Sequence, residues 1–201
     1  MTRIKLCGLS RTEDIDTANR LRPDFIGFVF SQKSRRYVDI EKARMLRQRL
    51  DAGISAVGVF VDEDPETILE YLYDGVIDIA QLHGSEDDPY IERIRSSSGK
   101  PVIKAFMLRQ KDDIIKAEQC PADYILLDAG RGDGETFDWS LAEGITRPFF
   151  LAGGLDPENA AGAISMLCPF AVDVSSGIET DGVKDPVKAE AFVNAVRRFG
   201  K

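Results

Sequence analysis

Cys7 and Asp128 are two side chains whose types and positions could carry chemistry. Cys7 closes the apolar run Ile4-Lys5-Leu6-Cys7 and is followed at once by Gly8. A thiol there is either a small buried hydrophobe or, where a cation or helix dipole lowers its pKa, a base or nucleophile. Asp128 closes Tyr124-Ile125-Leu126-Leu127-Asp128, and Gly130-Arg131-Gly132-Asp133-Gly134 follows in place of a helix start. Helix capping therefore explains Asp128 poorly. A carboxylate at the rim of a site, beside a Gly-rich cover, explains it better.

Two later runs end in residues that suit an anion. Gly153 and Gly154 follow Phe149-Phe150-Leu151-Ala152, and Ser175, Ser176 and Gly177 follow Ala171-Val172-Asp173-Val174. Glycine lets the backbone approach a ligand closely, and a following helix start adds N–H donors. Either loop alone reads as a plain turn; the pair reads as a phosphate site, with Asp173 beside it. Asp173 and Lys104, each inside a strand-like run, are expected to form an ion pair in the interior. Gln81 and His83 share a face and can hydrogen-bond a ligand, although a lone histidine is also compatible with a structural role or a general base. Arg36, within Ser34-Arg35-Arg36-Tyr37, is either a bidentate clamp for an anionic group or part of a solvated basic loop.

These positions share one feature: most fall at or near the end of a strand-like run. Eight such runs recur along the chain, the four not yet quoted being Phe25 to Phe30, Ala56 to Val61, Ile77 to Leu82 and Val102 to Phe106. Helical signals fill the intervals. Ser10-Arg11-Thr12-Glu13 has the form of a capping box, Ile40, Ala43, Leu46 and Leu50 make a helical stripe, and Asp-Pro pairs at 64, 88, 156 and 185 each mark a helix start. The weakest interval, Asp138 to Gly144, has room for a short helix only. Eight strand–helix units and no linker predict one (β/α)8 TIM barrel spanning 1–201. An open dinucleotide-binding sheet is disfavoured, because the first turn reads Cys7-Gly8-Leu9-Ser10 and lacks GxGxxG. In a barrel the strand ends form one rim, and the loops after strands seven and eight commonly hold phosphate.

Composition narrows the function further. A net charge of −8 argues against a nucleic-acid surface while leaving local phosphate binding open. No run approaches the roughly 20 apolar residues of a membrane span, and the start lacks a signal-peptide pattern, so a cytoplasmic enzyme is expected. Cys7, Cys120 and Cys168 show no CxxC spacing and there is one histidine, so no zinc site is expected. Cys120 and Cys168 fall at helix ends and receive no role.

The ordered set of motifs resembles the phosphoribosylanthranilate isomerase family of tryptophan biosynthesis. It runs through Lys5-Leu6-Cys7-Gly8-Leu9-Ser10, Gly27-Phe28-Val29-Phe30, Ser34-Arg35-Arg36-Tyr37-Val38, Gly58-Val59-Phe60-Val61 and Gln81-Leu82-His83-Gly84. It continues through Leu127-Asp128, Gly132-Asp133-Gly134, Phe137-Asp138-Trp139, Ala152-Gly153-Gly154-Leu155 and Phe170 to Glu179. The resemblance implies Cys7 as general base, Asp128 as general acid, Arg36 on the anthranilate carboxylate, and phosphate at Gly153-Gly154 and Ser175-Ser176-Gly177. It implies an internal redox isomerisation needing no cofactor or metal, in a monomer or homodimer. Leu6, Leu9-Ser10 and Glu135 depart from the family's usual residues, the first three conservatively. A related isomerase of histidine biosynthesis is the nearest alternative, but it usually carries aspartate where Cys7 stands. A catalytically silent phosphosugar-binding barrel is the other, and it would lack the acid–base pair.

Overall fold

A computed structural model of the chain describes residues 1–128, 139–142 and 144–199. Eight parallel strands close a barrel in chain order: β1 (Arg3–Cys7), β2 (Phe25–Val29), β3 (Ser55–Phe60), β4 (Ile79–Leu82), β5 (Val102–Met107), β6 (Tyr124–Asp128), β7 (Phe149–Ala152) and β8 (Ala171–Val174). Closure is made by β8 on β1, from Arg3 opposite Ala171 to Leu6 opposite Val174. All eight expected runs are strands. The largest difference is at β4, which starts at Ile79, because Ile77 N–H donates back to the Tyr71 carbonyl (3.3 Å) as the preceding helix ends.

The helices are α1 (Thr12–Leu21), α2 (Ile40–Arg49), α3 (Pro65–Tyr73), α4 (Asp88–Ser98), α5 (Lys111–Gln119), α6 (Ala160–Leu167) and α7 (Pro186–Phe199). Between β6 and β7 the described residues hold one 3-10 turn, Trp139–Ala142, as the short interval required. Aspartates satisfy the orphan N–H groups at the helix starts. Asp39 accepts from Lys42 N–H (2.8 Å), Asp64 from Glu66 N–H (3.2 Å) and Asp87 from Tyr90 N–H (3.0 Å). Two starts lie beyond their sequence signals. At α1 the reciprocal carboxylate is Asp14, not Glu13, and it accepts from Ser10 and Arg11 N–H (2.9 and 3.0 Å). At α6 the helix begins at Ala160, because Asp156 first closes a turn through the N–H groups of Glu158 and Asn159. No described helix is long and apolar enough to cross a membrane.

Strand parity divides the core into two. Outward-facing side chains such as Leu6, Ile26, Phe28 and Leu127 pack against the helices. Inward-facing Phe25, Val57, Ile79, Ile103, Leu126 and Phe150 fill the barrel, with Tyr124 and Phe170 packed against them. Phe150 lies 5.3 Å from Phe25 and 5.6 Å from Phe170, and Arg3 covers the Phe170 ring at 4.6 Å. Apolar packing thus fills the lower barrel, and the C-terminal end is left for polar groups.

One element has no counterpart among the sequence expectations. After β8 a 3-10 turn (Ser176–Ile178) leads into a two-stranded hairpin, β9 (Glu179–Thr180) and β10 (Val183–Lys184). Asp181 and Gly182 sit at its corner with φ of 51° and 78°, as a two-residue Asp-Gly turn requires. The Asp-Gly pair was the available signal, and strands of two residues were too short to announce themselves.

Candidate active site

Inward parity carries Cys7, Gln81, His83, Asp128, Asp173 and Ser175 to the same end of the barrel, where all six line one cavity of about 520 Å³ with Arg36, Gly153, Gly154 and Ser176. Ten of the eleven proposed site residues are therefore brought together. Gly177 is the exception. A Cβ there would lie 1.9 Å from the Leu155 carbonyl oxygen, so this glycine serves the close packing of two loops rather than lining the cavity.

Cys7 is buried, and the space for its thiol is made by Gly27 on the neighbouring strand. A Cβ on Gly27 would come within 2.6 Å of Cys7 Sγ. Burial pushes the Cys7 thiol pKa up; the positive charges of Lys5 and Lys184 pull the other way, with Asp173 opposing them, and the net direction is upward. Cys7 thus holds its proton more tightly than an ordinary thiol, and its thiolate is correspondingly more basic.

Beneath it, Lys5 is fully buried and donates to Asp173 Oδ2 at 2.7 Å. Burial alone would lower the Lys5 pKa, but Asp173 and Cys7 outweigh it and hold the ammonium above its ordinary value. The ion pair expected between Asp173 and Lys104 is not formed. Lys104 has the opposite parity, faces the helix layer, and donates to Glu86 Oε2 (2.8 Å) and to the Gly84 carbonyl (2.7 Å). This pins the loop that follows His83. Nor does Asp173 suit a phosphate, since its carboxylate would repel one and is already committed to Lys5.

Across the mouth, His83 Nε2 stands 3.3 Å from Asp128 Oδ2. On its other side the Gln81 amide nitrogen lies 3.1 Å from His83 Nδ1. Nδ1 meets the Gln81 amide, and Nε2 is the ring nitrogen that faces the Asp128 carboxylate. His83 thus sits between Gln81 and Asp128. The Gly-rich stretch after Asp128, and Glu135 within it, lie outside the described residues.

The two anion-binding candidates differ in readiness. Gly153 and Gly154 turn with φ of 87° and 65°, which keeps side chains out of the cavity wall. Ser175 is already engaged: its hydroxyl donates to the Cys7 carbonyl (3.1 Å) and accepts from Lys184 Nζ (3.1 Å). Arg36 lies over Gly8, where a Cβ would meet its Cδ at 2.4 Å, and Gly8 has a φ of 77° that favours glycine. Glu179 holds the Arg36 guanidinium at Nε (2.6 Å) and Nη2 (3.0 Å). Sequence reasoning assigned Glu179 no role, because a carboxylate in a short loop carries no sign of its partners. Two cavity-lining residues also keep a buried acceptor with no protein hydrogen bond: Gln81 Oε1 and Asp173 Oδ1.

Comparison with known proteins finds relatives that match almost the whole chain. The family model for N-(5'-phosphoribosyl)anthranilate (PRA) isomerase matches residues 4–195. The N-(5'-phosphoribosyl)anthranilate isomerase of Clostridium acetobutylicum is 42% identical over 208 residues, covering 99% of this chain and 100% of its own. A crystal structure of phosphoribosyl anthranilate isomerase in complex with reduced 1-(o-carboxyphenylamino)-1-deoxyribulose 5-phosphate aligns with a TM-score of 0.89 at 38% identity, covering 98% of this chain and 100% of that one. Monomers generated from the dimeric enzyme of Thermotoga maritima align with a TM-score of 0.87 at 36% identity, covering 98% and 99%.

Proposed function

The chain belongs to the N-(5'-phosphoribosyl)anthranilate isomerase family, and on that premise we propose that Cys7 and Asp128 are the base and acid of its reaction. The activity is the Amadori rearrangement of phosphoribosylanthranilate to 1-(2-carboxyphenylamino)-1-deoxyribulose 5-phosphate, a step of tryptophan biosynthesis. The observation that carries the assignment is the placement of a thiol and a carboxylate on one cavity, three strands apart around the barrel. A substrate between them can be protonated on one side and deprotonated on the other.

In this reading Asp128, in its protonated form, donates to the furanose ring oxygen. The C1'–O bond breaks, and the nitrogen lone pair forms an iminium. Cys7 as thiolate takes the C2' proton, and the C–H electron pair neutralises the iminium to give an enolamine. Proton return to C1' and loss of the proton from the C2' hydroxyl yield the ketone, with no net oxidation. His83, oriented by Gln81, holds Asp128 toward the ring oxygen. Arg36 binds the anthranilate carboxylate, and the backbone at Gly153, Gly154 and Ser176 holds the phosphate. The open acceptors on Gln81 and Asp173 match the hydroxyl donors of the sugar. Such a substrate enters without metal or cofactor, in a cytoplasmic monomer or homodimer.

Loss of phosphoribosylanthranilate fluorescence tests the assignment directly. Cys7→Ser and Asp128→Asn are each expected to lower kcat by at least about 100-fold while substrate still binds. Near-normal turnover in both variants refutes it.

A further inference from the structure

Glu179 is a hub that the acid–base reading leaves unexplained. Its side chain is 4% exposed and meets three cations. Oε1 accepts from Arg36 Nε (2.6 Å) and Lys184 Nζ (2.7 Å), while Oε2 accepts from Arg35 Nη2 (2.6 Å) and Arg36 Nη2 (3.0 Å). The pairing with Arg36 is bidentate and uses the Nε/Nη2 edge of the guanidinium. Among the described residues Nη1 makes no hydrogen bond, and Arg36 lines the cavity. A planar guanidinium fixed along one edge has its other edge fixed as well.

Lys184 extends the arrangement toward the second loop. It donates to the Ser175 carbonyl (2.8 Å) and hydroxyl (3.1 Å) as well as to Glu179. Lys184 and Glu179 face each other in the β9–β10 register, so the hairpin presents both as a unit. The Arg36 wall of the cavity and the Ser175 wall are thereby joined through one buried carboxylate.

We propose that Glu179 is a positioning residue for substrate recognition: it aims the free Nη1 edge of Arg36 at the aromatic carboxylate and thereby sets preference for a carboxylated ring. The proposal rests on the reading of Arg36 as the carboxylate clamp. It makes a prediction opposite in sign to simple electrostatics. Glu179 has the same charge as the ligand, so a purely electrostatic role means that its removal tightens binding of anionic ligands. A positioning role means that its removal weakens binding of the carboxylated ligand alone.

Calorimetry with two probes separates these outcomes: the reduced product analogue 1-(o-carboxyphenylamino)-1-deoxyribulose 5-phosphate and its counterpart lacking the ring carboxylate. The wild type is expected to prefer the carboxylated probe by about 10- to 100-fold, the worth of a charge-assisted contact. Glu179→Gln should lower that preference at least about fivefold and leave the other probe within about twofold. In the Arg36→Ala background, Glu179→Gln should have no further effect on the preference, since the group it positions is gone. An unchanged preference in Glu179→Gln, equal weakening of both probes, tighter binding, or additivity with Arg36→Ala each overturns the proposal. A preference that persists in Arg36→Ala itself refutes the clamp reading and the proposal with it. Loss of preference in Arg36→Ala but not in Glu179→Gln leaves the clamp standing and refutes the positioning role alone. Should Glu179→Gln fail to fold, Glu179→Asp, which keeps the charge but withdraws it by one methylene, is read by the same ratio.

Discussion

Replacing Lys5 by Met separates the structural and the catalytic value of one buried charge. Lys5 has no solvent exposure, and its ammonium is the counter-ion of Asp173, whose side chain is 7% exposed. Removing one partner of such a pair leaves the other charge buried and uncompensated, at a cost of about 3–5 kcal/mol. That is a large part of the roughly 5–15 kcal/mol that stabilises a typical domain. The upper half of the range is expected here, because Asp173 Oδ1 already lacks a protein partner. Adding Asp173→Asn removes the stranded charge, so the double variant should regain at least half of the loss in urea unfolding at pH 7.5. Turnover should behave differently. Among the groups that favour the Cys7 thiolate, Lys5 acts most strongly, and Asp173 opposes it less strongly. Without the ammonium the thiol pKa rises further, and each unit lowers the thiolate fraction about tenfold. In the wild type, kcat/KM should climb with pH beyond the usual thiol range near about 8.5, and in Lys5→Met the climb should move to still higher pH. Full turnover at pH 7.5 in either variant refutes the coupling of Lys5 to Cys7. A stability loss below about 1 kcal/mol in Lys5→Met refutes the buried-charge argument.

Three further perturbations probe the surroundings of the site. Gly27→Ala should push the Cys7 thiol out of place, costing about 1–3 kcal/mol in urea unfolding together with a fall in kcat, since the new Cβ would lie 2.6 Å from Sγ. Burial favours the protonated form of Glu179, but the hydrogen bonds and charges of Arg36 and Lys184 prevail and pull its pKa from 4.5 to about 2. A lowered carboxylate pKa contributes stability that is fully present above pH 4.5 and lost as pH falls toward about 2. The advantage of wild type over Glu179→Gln should therefore shrink by up to about 3 kcal/mol across that window, measured by urea unfolding at each pH. Gly182→Val places a β-branched side chain at a φ of 78° in the hairpin corner and should cost about 1–2 kcal/mol of stability, with weaker binding of the carboxylated probe as the hairpin shifts.

What the amino-acid sequence determined by itself was the repeat and its end points. Apolar runs of fixed parity, separated by helical signals of the right length, permit few closed arrangements. Once the barrel follows, every strand end is on one rim. Cys7, Asp128, Gly153 and Gly154 were legible for that reason: their positions relative to a strand end are local facts. Parity also carried Gln81 and His83 inward, and the motif order carried the family. The pairings were not legible, because they join residues far apart in the chain whose contact depends on the barrel's closure and stagger. Lys5 meets Asp173 across 168 residues, and Arg36 meets Glu179 across 143. Lys104, one residue out of phase with the inward face of β5, pairs with Glu86 in the helix layer instead. Gly177 looks like a phosphate glycine in sequence, but only the packed loops show that its missing side chain makes room for Leu155. Local pattern decides which residues reach the rim. Tertiary closure decides which charges meet there, because the stability of a buried charge depends on a partner that only the folded barrel supplies.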